Sequence, residues 1–412
     1  MTTISLSINL SNIKIISSDR LNNGDIIVHV KSTETGTICK CCGKYITKVH
    51  SLNKTIILHH LPAFGNSVYI KFQPVRFQCL DCVGSPTTTQ IPSWYQSRGK
   101  CTMLYAKYII NMLVNSTIQD VAKKENLTYE RVSSIINNHV PNKIDWSKIK
   151  EIKDLGIDEI SLKKGHKSFV VIISAKIDGK IVVLCVLKDR KKDTVKNFLL
   201  SIPKELAKTV ENVCTDMYDG FINSAKEVFG PKVNIIIDRF HVAKNYRSAI
   251  DDLRKKEMKR LKLEISESDY KKLKNVMWIL RKKHSDITDE ENEKLDLLFS
   301  LSPLLKKAYN FQNKLTSIFN QQISEKQAKV KIKQWIKSVK NSKLTCFDTF
   351  IKTINKLWNE ILSYFKNRLN SGFVEGLNNR IKVIKRRCYG IFNTENLFQR
   401  ISIDLAGYQS VC

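Results

Sequence analysis

Three acids in this chain could work together, although they stand far apart. Asp158 sits in Leu155-Gly156-Ile157-Asp158-Glu159, Asp216 in Cys214-Thr215-Asp216-Met217, and Glu375 in Gly372-Phe373-Val374-Glu375-Gly376. The first two belong to apolar, strand-like runs. The third stands beside Asn378 and Asn379 in a strongly basic helical stretch. Carboxylates are the hard oxygen donors that Mg²⁺ or Mn²⁺ takes. Three of them can hold two such ions, one to activate a water or hydroxyl and one to stabilise a leaving oxygen. That chemistry suits a phosphodiester. Asp219 and Asp238 are rivals for the second position, and Asp238 also ends a strand, in Ile237-Asp238-Arg239-Phe240-His241. The plainer reading makes a strand-end Asp a turn or cap residue and Glu375 an exposed helix residue.

A second group is built on sulfur. Cys39-Lys40-Cys41-Cys42 and Cys79-Leu80-Asp81-Cys82 are two CxxC pairs. Cys39, Cys42, Cys79 and Cys82 have the spacing of two knuckles of a zinc ribbon, a closed structural Zn²⁺ site. Cys41 could replace a neighbour. His50, His59 and His60 are alternative ligands but fit ordinary strand or surface positions. The other cysteines are scattered, and Cys185 and Cys214 stand alone in apolar runs, which fits a reducing cytoplasm better than a disulfide framework.

The chain around these groups is strongly basic. Its 412 residues carry 69 Lys and Arg against 39 Asp and Glu, a net charge of +30. Such an excess calls for a polyanionic partner, and nucleic acid is the one expected. The 42% hydrophobic content is enough for buried cores and excludes a disordered basic protein. No apolar run reaches membrane-spanning length, and Met1 to Leu10 lacks the basic start of a secretory signal.

The acids need elements to position them. Residues 168–177 and 180–187 are two β-rich runs joined by Asp178-Gly179, a hairpin signal. A helix is expected over 194–200, a strand over 210–215, a helix over 218–229 and a strand over 232–237. With the strand that carries Asp158, this makes a mixed sheet with helices packed on it. Asp158 and Asp216 then fall on adjacent strands, about 4.8 Å apart. Glu375 lies on a later helix that could pack across the sheet. Between them, about 239–370 reads as a Lys-rich helical insertion. Upstream, 26–30, 55–58 and 68–72 read as strands, and Met103 to Val114 as a helix. Residues 116–136 read as helix-turn-helix, with Thr128 capping a second helix that offers Tyr129, Glu130, Arg131 and Ser134 to a DNA groove.

In this order the features resemble the ISL3 family of bacterial insertion-sequence transposases. The resemblance rests on the two cysteine knuckles, the helix-turn-helix, Gly156-Ile157-Asp158-Glu159, Thr215-Asp216-Met217 and Asp238-Arg239-Phe240-His241-Val242. It extends to Val374-Glu375-Gly376-Leu377-Asn378-Asn379, Ile381-Lys382 and Arg386-Arg387-Cys388-Tyr389-Gly390. It spans about residues 35–408. The family's knuckles usually read Cys-Pro-x-Cys, where this chain has Lys40 and the extra Cys41.

The resemblance implies an α/β multidomain chain. Its parts would be a zinc ribbon over 1–95, a helix-turn-helix over 100–145, and a ribonuclease-H-like core over 150–240. A helical insertion over 241–370 and closing core helices over 371–412 would complete it. It implies DDE chemistry, with Asp158, Asp216 and Glu375 holding Mg²⁺ or Mn²⁺, cutting at element ends and joining them to target DNA. Asp238 and His241 would support that site. Tyr129, Arg131, Ser134, Lys382, Lys385, Arg386 and Arg387 would contact double-stranded DNA. Joining two ends implies at least a homodimer in the complex, in a bacterial cytoplasm and on the nucleoid. A DNA-binding regulator without catalysis, or a nuclease on the same core, would share parts of this pattern.

Overall fold

The chain divides into two compact units, residues 1–142 with 399–412, and residues 143–398. The computed structural model describes residues 8–162, 169–282, 286–367 and 372–407, without the side chains of 367, 372, 373 and 375.

Among the described residues, the first unit opens with nine short strands: β1 (Ile13–Arg20), β2 (Ile26–Ser32), β3 (Thr37–Ile38), β4 (Tyr45–Ile46), β5 (Val49–Leu52), β6 (Ile56–Ala63), β7 (Asn66–Phe72), β8 (Val75–Gln78) and β9 (Thr87–Thr89). Four of them form a sheet in the order β1-β2-β7-β6. Alternate residues of β7 point inward, and Ile70 and Phe72 pack with Val30, Leu58 and Trp94. The runs expected at 26–30, 55–58 and 68–72 correspond to β2, β6 and β7. β1 lies almost wholly exposed, so no apolar alternation marked it in the sequence. β3 pairs with β4, and β5, β8 and β9 form a separate three-stranded sheet.

Three helices follow: α1 (Met103–Leu113), α2 (Ile118–Lys124) and α3 (Tyr129–His139). A threonine caps each one. The hydroxyls of Thr102, Thr117 and Thr128 accept from the backbone N–H of Tyr105, Asp120 and Arg131. Ile109, Ile110, Leu113, Val121, Val132 and Ile135 form their shared core.

The second unit is built on one mixed sheet. β10 (Asp154–Ser161), β11 (Phe169–Ile177) and β12 (Lys180–Leu187) precede α4 (Lys192–Leu200) and α5 (Lys204–Ala207). β13 (Asn212–Thr215), α6 (Asp219–Phe229) and β14 (Asn234–Ile237) complete it. The strand order is β12-β11-β10-β13-β14. β11 runs antiparallel to both neighbours, whereas β13 and β14 run parallel to β10. Asp178 and Gly179 turn the β11–β12 hairpin with φ of 49° and 76°, the left-handed pair that such a turn demands.

Among the described residues, eight helices come next: α7 (Arg239–Glu264), α8 (Glu267–Lys272), α9 (Val276–Ile279), α10 (Asp289–Leu301), α11 (Pro303–Asn320), α12 (Glu325–Asn341), α13 (Asp348–Lys356) and α14 (Trp358–Asn367). Their boundaries are local chemistry. Thr288 with Glu291 and Ser324 with Gln327 form capping boxes, and Pro303 opens α11 behind the capping hydroxyl of Ser302. These helices do not build a core of their own. α14 packs on β14, and Tyr246, Leu305, Trp335 and Phe350 join Leu155, Val213 and Ile235 in one continuous apolar cluster.

α15 (Gly372–Arg387) packs against β10, and α16 (Thr394–Ala406) follows. The second half of α16 belongs to the first unit. There Ile403 enters the core of α1 to α3, and Gln399 donates to the carbonyl of Val140. Among the described residues, no helix is long and apolar enough to cross a membrane.

Candidate active site

β13 and β14 end together, level with the middle of β10, which runs on to Ser161 beside β11. Ile157 lies opposite Thr215, and Thr215 opposite Ile237. The next residue on each strand is an aspartate: Asp158, Asp216 and Asp238. Strand spacing therefore sets three carboxyl-bearing residues side by side at one edge of the sheet. Each spends one oxygen on a nearby backbone N–H. Asp158 accepts from Glu159 at 2.7 Å, Asp216 from Tyr218 at 2.8 Å, and Asp238 from Phe240 at 2.8 Å. The last bond makes Asp238 the N-cap of α7. One turn into that helix, His241 places Nε2 3.9 Å from the second oxygen of Asp238.

The electrostatics report how close these groups are. Burial, aided by the charges of Asp216 and Asp238, pushes the Asp158 carboxyl up to about 6, against the pull of the Glu159 N–H and of His241. Burial also raises Asp216, with Glu159 adding to the effect and the Tyr218 N–H, His241 and Arg190 opposing it. Asp219 stands apart. It is exposed at the start of α6 and paired with Lys356 at 2.6 Å. Glu375 falls in the first turn of α15, and its side chain lies outside the described residues.

The sulfur site is more compact. The sulfurs of Cys39, Cys42, Cys79 and Cys82 all lie within 4.8 Å of one another. They are the only group of three or more His, Cys, Asp or Glu ligand atoms this convergent among the described residues. The β3–β4 turn brings the first two, and the β8–β9 turn brings the others. Backbone N–H groups of Cys42 and Cys41 hold the Cys39 thiol down to about 6. Such a four-sulfur cluster is compatible with structural zinc. Cys41 is exposed and outside the group, while His59 and His60 are buried in β6, His59 stacked on Tyr105 and His60 bonded to Thr102.

Comparison with known proteins places this arrangement. Residues 155–401 match a family of transposases, the ISL3 family, and that stretch contains Asp158, Asp216, Asp238 and Glu375. The chain belongs to this family. It is 26% identical to the transposase for insertion sequence element IS1001 of Bordetella parapertussis, over 92% of this chain and 91% of that protein. It is 21% identical to the transposase for insertion sequence element IS1557 of Mycobacterium tuberculosis, over 83% of this chain and 80% of that protein.

The residues expected to touch DNA sit in differing surroundings in this transposase. Tyr129 and Ser134 are exposed on α3, although Ser134 accepts from Asn138 at 3.3 Å. Arg131 donates one N–H to the carbonyl of Lys100 at 2.6 Å, so part of its guanidinium is used within the fold. On α15, Lys382 and Arg386 are exposed and Arg387 is half-buried. Lys385 turns inward, donating to the carbonyls of Ser161 and Leu162 at 2.6 and 3.0 Å, where β10 ends. Burial lowers its affinity for a proton.

Two residues near the acids escaped assignment from the sequence. Arg190 pairs with Glu159 at 3.2 Å and lies over the ring of Tyr218 at 5.2 Å. Nothing in its own segment marks it. Asn378 donates its amide N–H to the second oxygen of Asp158. Its signal was available, because it lies one helical turn beyond Glu375.

Proposed function

We propose that this transposase binds the ends of its own element, cuts the DNA there and joins the cut ends to a target, using Asp158, Asp216 and Glu375 as a divalent-ion site. One observation carries the reading: Asp158 and Asp216 each follow the last rung that pairs the adjacent parallel strands β10 and β13, within a chain of net charge +30. The sheet order β12-β11-β10-β13-β14, with β11 alone running against the other four strands, supports a ribonuclease-H-like core. Closing helix α15 against β10 supports the third acid, since it brings the segment of Glu375 to the strand of Asp158.

The donor set fits such an ion. Burial raises both carboxyls and the Asp216 charge adds to the rise at Asp158, a strain that a divalent cation relieves, and all the donors are hard oxygens. When bound, Mg²⁺ or Mn²⁺ supplies an activated hydroxyl and stabilises the leaving oxygen. The chain's own part is to fix the donors. The N–H bonds from Glu159 and Tyr218 hold one oxygen of each aspartate, and Asp238 with His241 adds charge beside them. Exposed Lys382 and Arg386 would meet the phosphate backbone. The four cysteines would bind structural Zn²⁺, and α2 with α3 would act as the helix-turn-helix that reads the ends.

A cleavage and joining assay on labelled DNA carrying the element's ends tests this reading. Wild type should cut and join with Mg²⁺ or Mn²⁺, while Asp158→Asn, Asp216→Asn and Glu375→Gln bind the ends but leave them intact. Binding without cutting in either metal would make the chain a DNA-binding regulator instead. Cutting without joining would make it a nuclease.

A further inference from the structure

We propose that Asn378 is a positioning residue for the divalent-ion site, one that orients Asp158 with its amide nitrogen and turns its amide oxygen to the ion. The inference rests on the two-ion reading above and adds a residue to it. Asn378 is 4% exposed, on a helix anchored by the buried Leu377, Ile381 and Ile384. Its Nδ2 donates to Asp158 across 220 positions of sequence. Its Oδ1 is buried and has no hydrogen-bond partner among the described residues.

The orientation of the amide is forced. Flipped, it would set Oδ1 against a carboxylate oxygen, acceptor against acceptor. The N–H must therefore face Asp158, and the oxygen is left over. Buried polar groups nearly always find a partner, so an unpartnered acceptor beside a carboxylate cluster is a strong pointer to a missing cationic or hydrogen-donating ligand. A pure packing role would be met better by an apolar side chain of similar shape. An amide gives one arm to the acid and one to the ion without adding charge to carboxyls already crowded by Asp216 and Asp238. Residues that hold a metal's ligands in this way typically alter metal affinity about tenfold or more when replaced. The bond also ties α15, and so the segment of Glu375, to β10. Lys385 makes a second tie seven residues later.

The test uses the full chain without DNA and Mn²⁺ as the probe, with free Mn²⁺ followed by electron paramagnetic resonance and folding by thermal unfolding. Asn378→Leu should weaken Mn²⁺ binding about tenfold while unfolding at the same temperature as wild type or higher. Asn378→Asp, which keeps an oxygen for the ion but loses the N–H to Asp158, should bind Mn²⁺ more tightly than Asn378→Leu. A structural role alone predicts the reverse for Asn378→Leu, a lower unfolding temperature with Mn²⁺ bound as in wild type, and that result overturns the proposal. Should Asn378→Leu fail to fold, Asn378→Ala takes its place, and a folded Asn378→Ala that binds Mn²⁺ as tightly as wild type overturns the proposal. Equal Mn²⁺ binding by wild type and Asp158→Asn would instead sink the two-ion reading itself.

Discussion

Asp158 and Asp216 each lie one residue beyond the last rung, Ile157 opposite Thr215, that joins β10 to β13. Their closeness has a consequence for stability. The Asp158 carboxyl sits at about 6 in the folded chain, against about 4 for an exposed aspartate. Below pH 4 both states hold the proton and nothing is lost. As pH rises from about 4 to 6, the unfolded chain gives up its proton first, so stability falls, by about 3 kcal/mol in all. In buffer free of divalent ions, Asp158→Asn should therefore unfold at a higher temperature than wild type at pH 7, and at a similar one at pH 4. Mg²⁺ at pH 7 should raise the wild-type value and leave that of Asp158→Asn nearly unchanged.

The cysteine site should contain one zinc ion and hold its own corner of the fold. Among the described residues, only Ile46, Phe77 and the half-buried Val75 join the cysteines in an apolar cluster, so little else can keep the β3–β4 and β8–β9 turns together. Mercurial titration with a zinc-sensitive dye should release one equivalent of zinc from wild type. Cys79→Ser should release far less and become protease-sensitive between the two turns. Cys41→Ser should behave as wild type, since its sulfur is outside the group. Loss of zinc from Cys41→Ser would mean that the register of the first knuckle is shifted.

How far the sequence announced all this differs from part to part. The sheet strands were legible because β11, β13 and β14 are buried runs, and such strands are continuously apolar, while the half-buried β12 was marked by the Asp178-Gly179 turn before it. Their ends differ by a residue or two, as for β13, expected from 210 and found from Asn212. What could not be read was tertiary. Lys385 looked like one more surface cation in a basic helix, and only the placement of Ser161 and Leu162 reveals why it turns inward. Likewise, nothing local says that the second half of α16 serves the core of α1 to α3.

That second half contains a buried ion pair that should be costly to break. Arg400 and Asp404 are 4% and 1% exposed and lie 3.0 Å apart. Arg400 also donates to the carbonyls of Leu113 and Ser116, and Asp404 accepts from the N–H of Asn115 at 2.8 Å. Removing one partner strands the other charge. Asp404→Ala should cost about 3–5 kcal/mol in urea unfolding of the full chain. Replacing both by apolar residues of similar volume should cost much less. Equal losses for the single and double variants would show that the bonds to the α1–α2 turn, and not the charge pairing, carry the stability.

The exposed cations of α15 should act through phosphates, and the buried one should not. Replacing Lys382 and Arg386 by Ala should make the logarithm of DNA affinity less steep in the logarithm of salt, by roughly one unit for each phosphate no longer neutralised. Sequence preference among element ends should stay the same, since cations on the backbone read no bases. Lys385→Ala should leave the salt slope intact and lower the unfolding temperature. Fluorescence anisotropy across a salt series separates these cases. A shallower slope for Lys385→Ala would place that side chain on the DNA despite its bonds to Ser161 and Leu162.

Asp238 presents the sharpest ambiguity, because one carboxylate stands in two roles. It caps α7 through the N–H of Phe240 and faces His241 and the other acids. Alanine confounds these roles, since losing a cap alone costs about 0.5–2 kcal/mol. Serine separates them, because its hydroxyl caps a helix nearly as well but carries no charge. If Asp238 serves only α7, Asp238→Ser should unfold like wild type and cut element ends at a similar rate, whereas Asp238→Ala should be the less stable. If its charge supports the site, Asp238→Ser should fold normally yet cut at least tenfold more slowly, with a higher Mn²⁺ requirement. The second outcome is the one expected, because the Asp238 charge already bears on Asp158 in the folded chain.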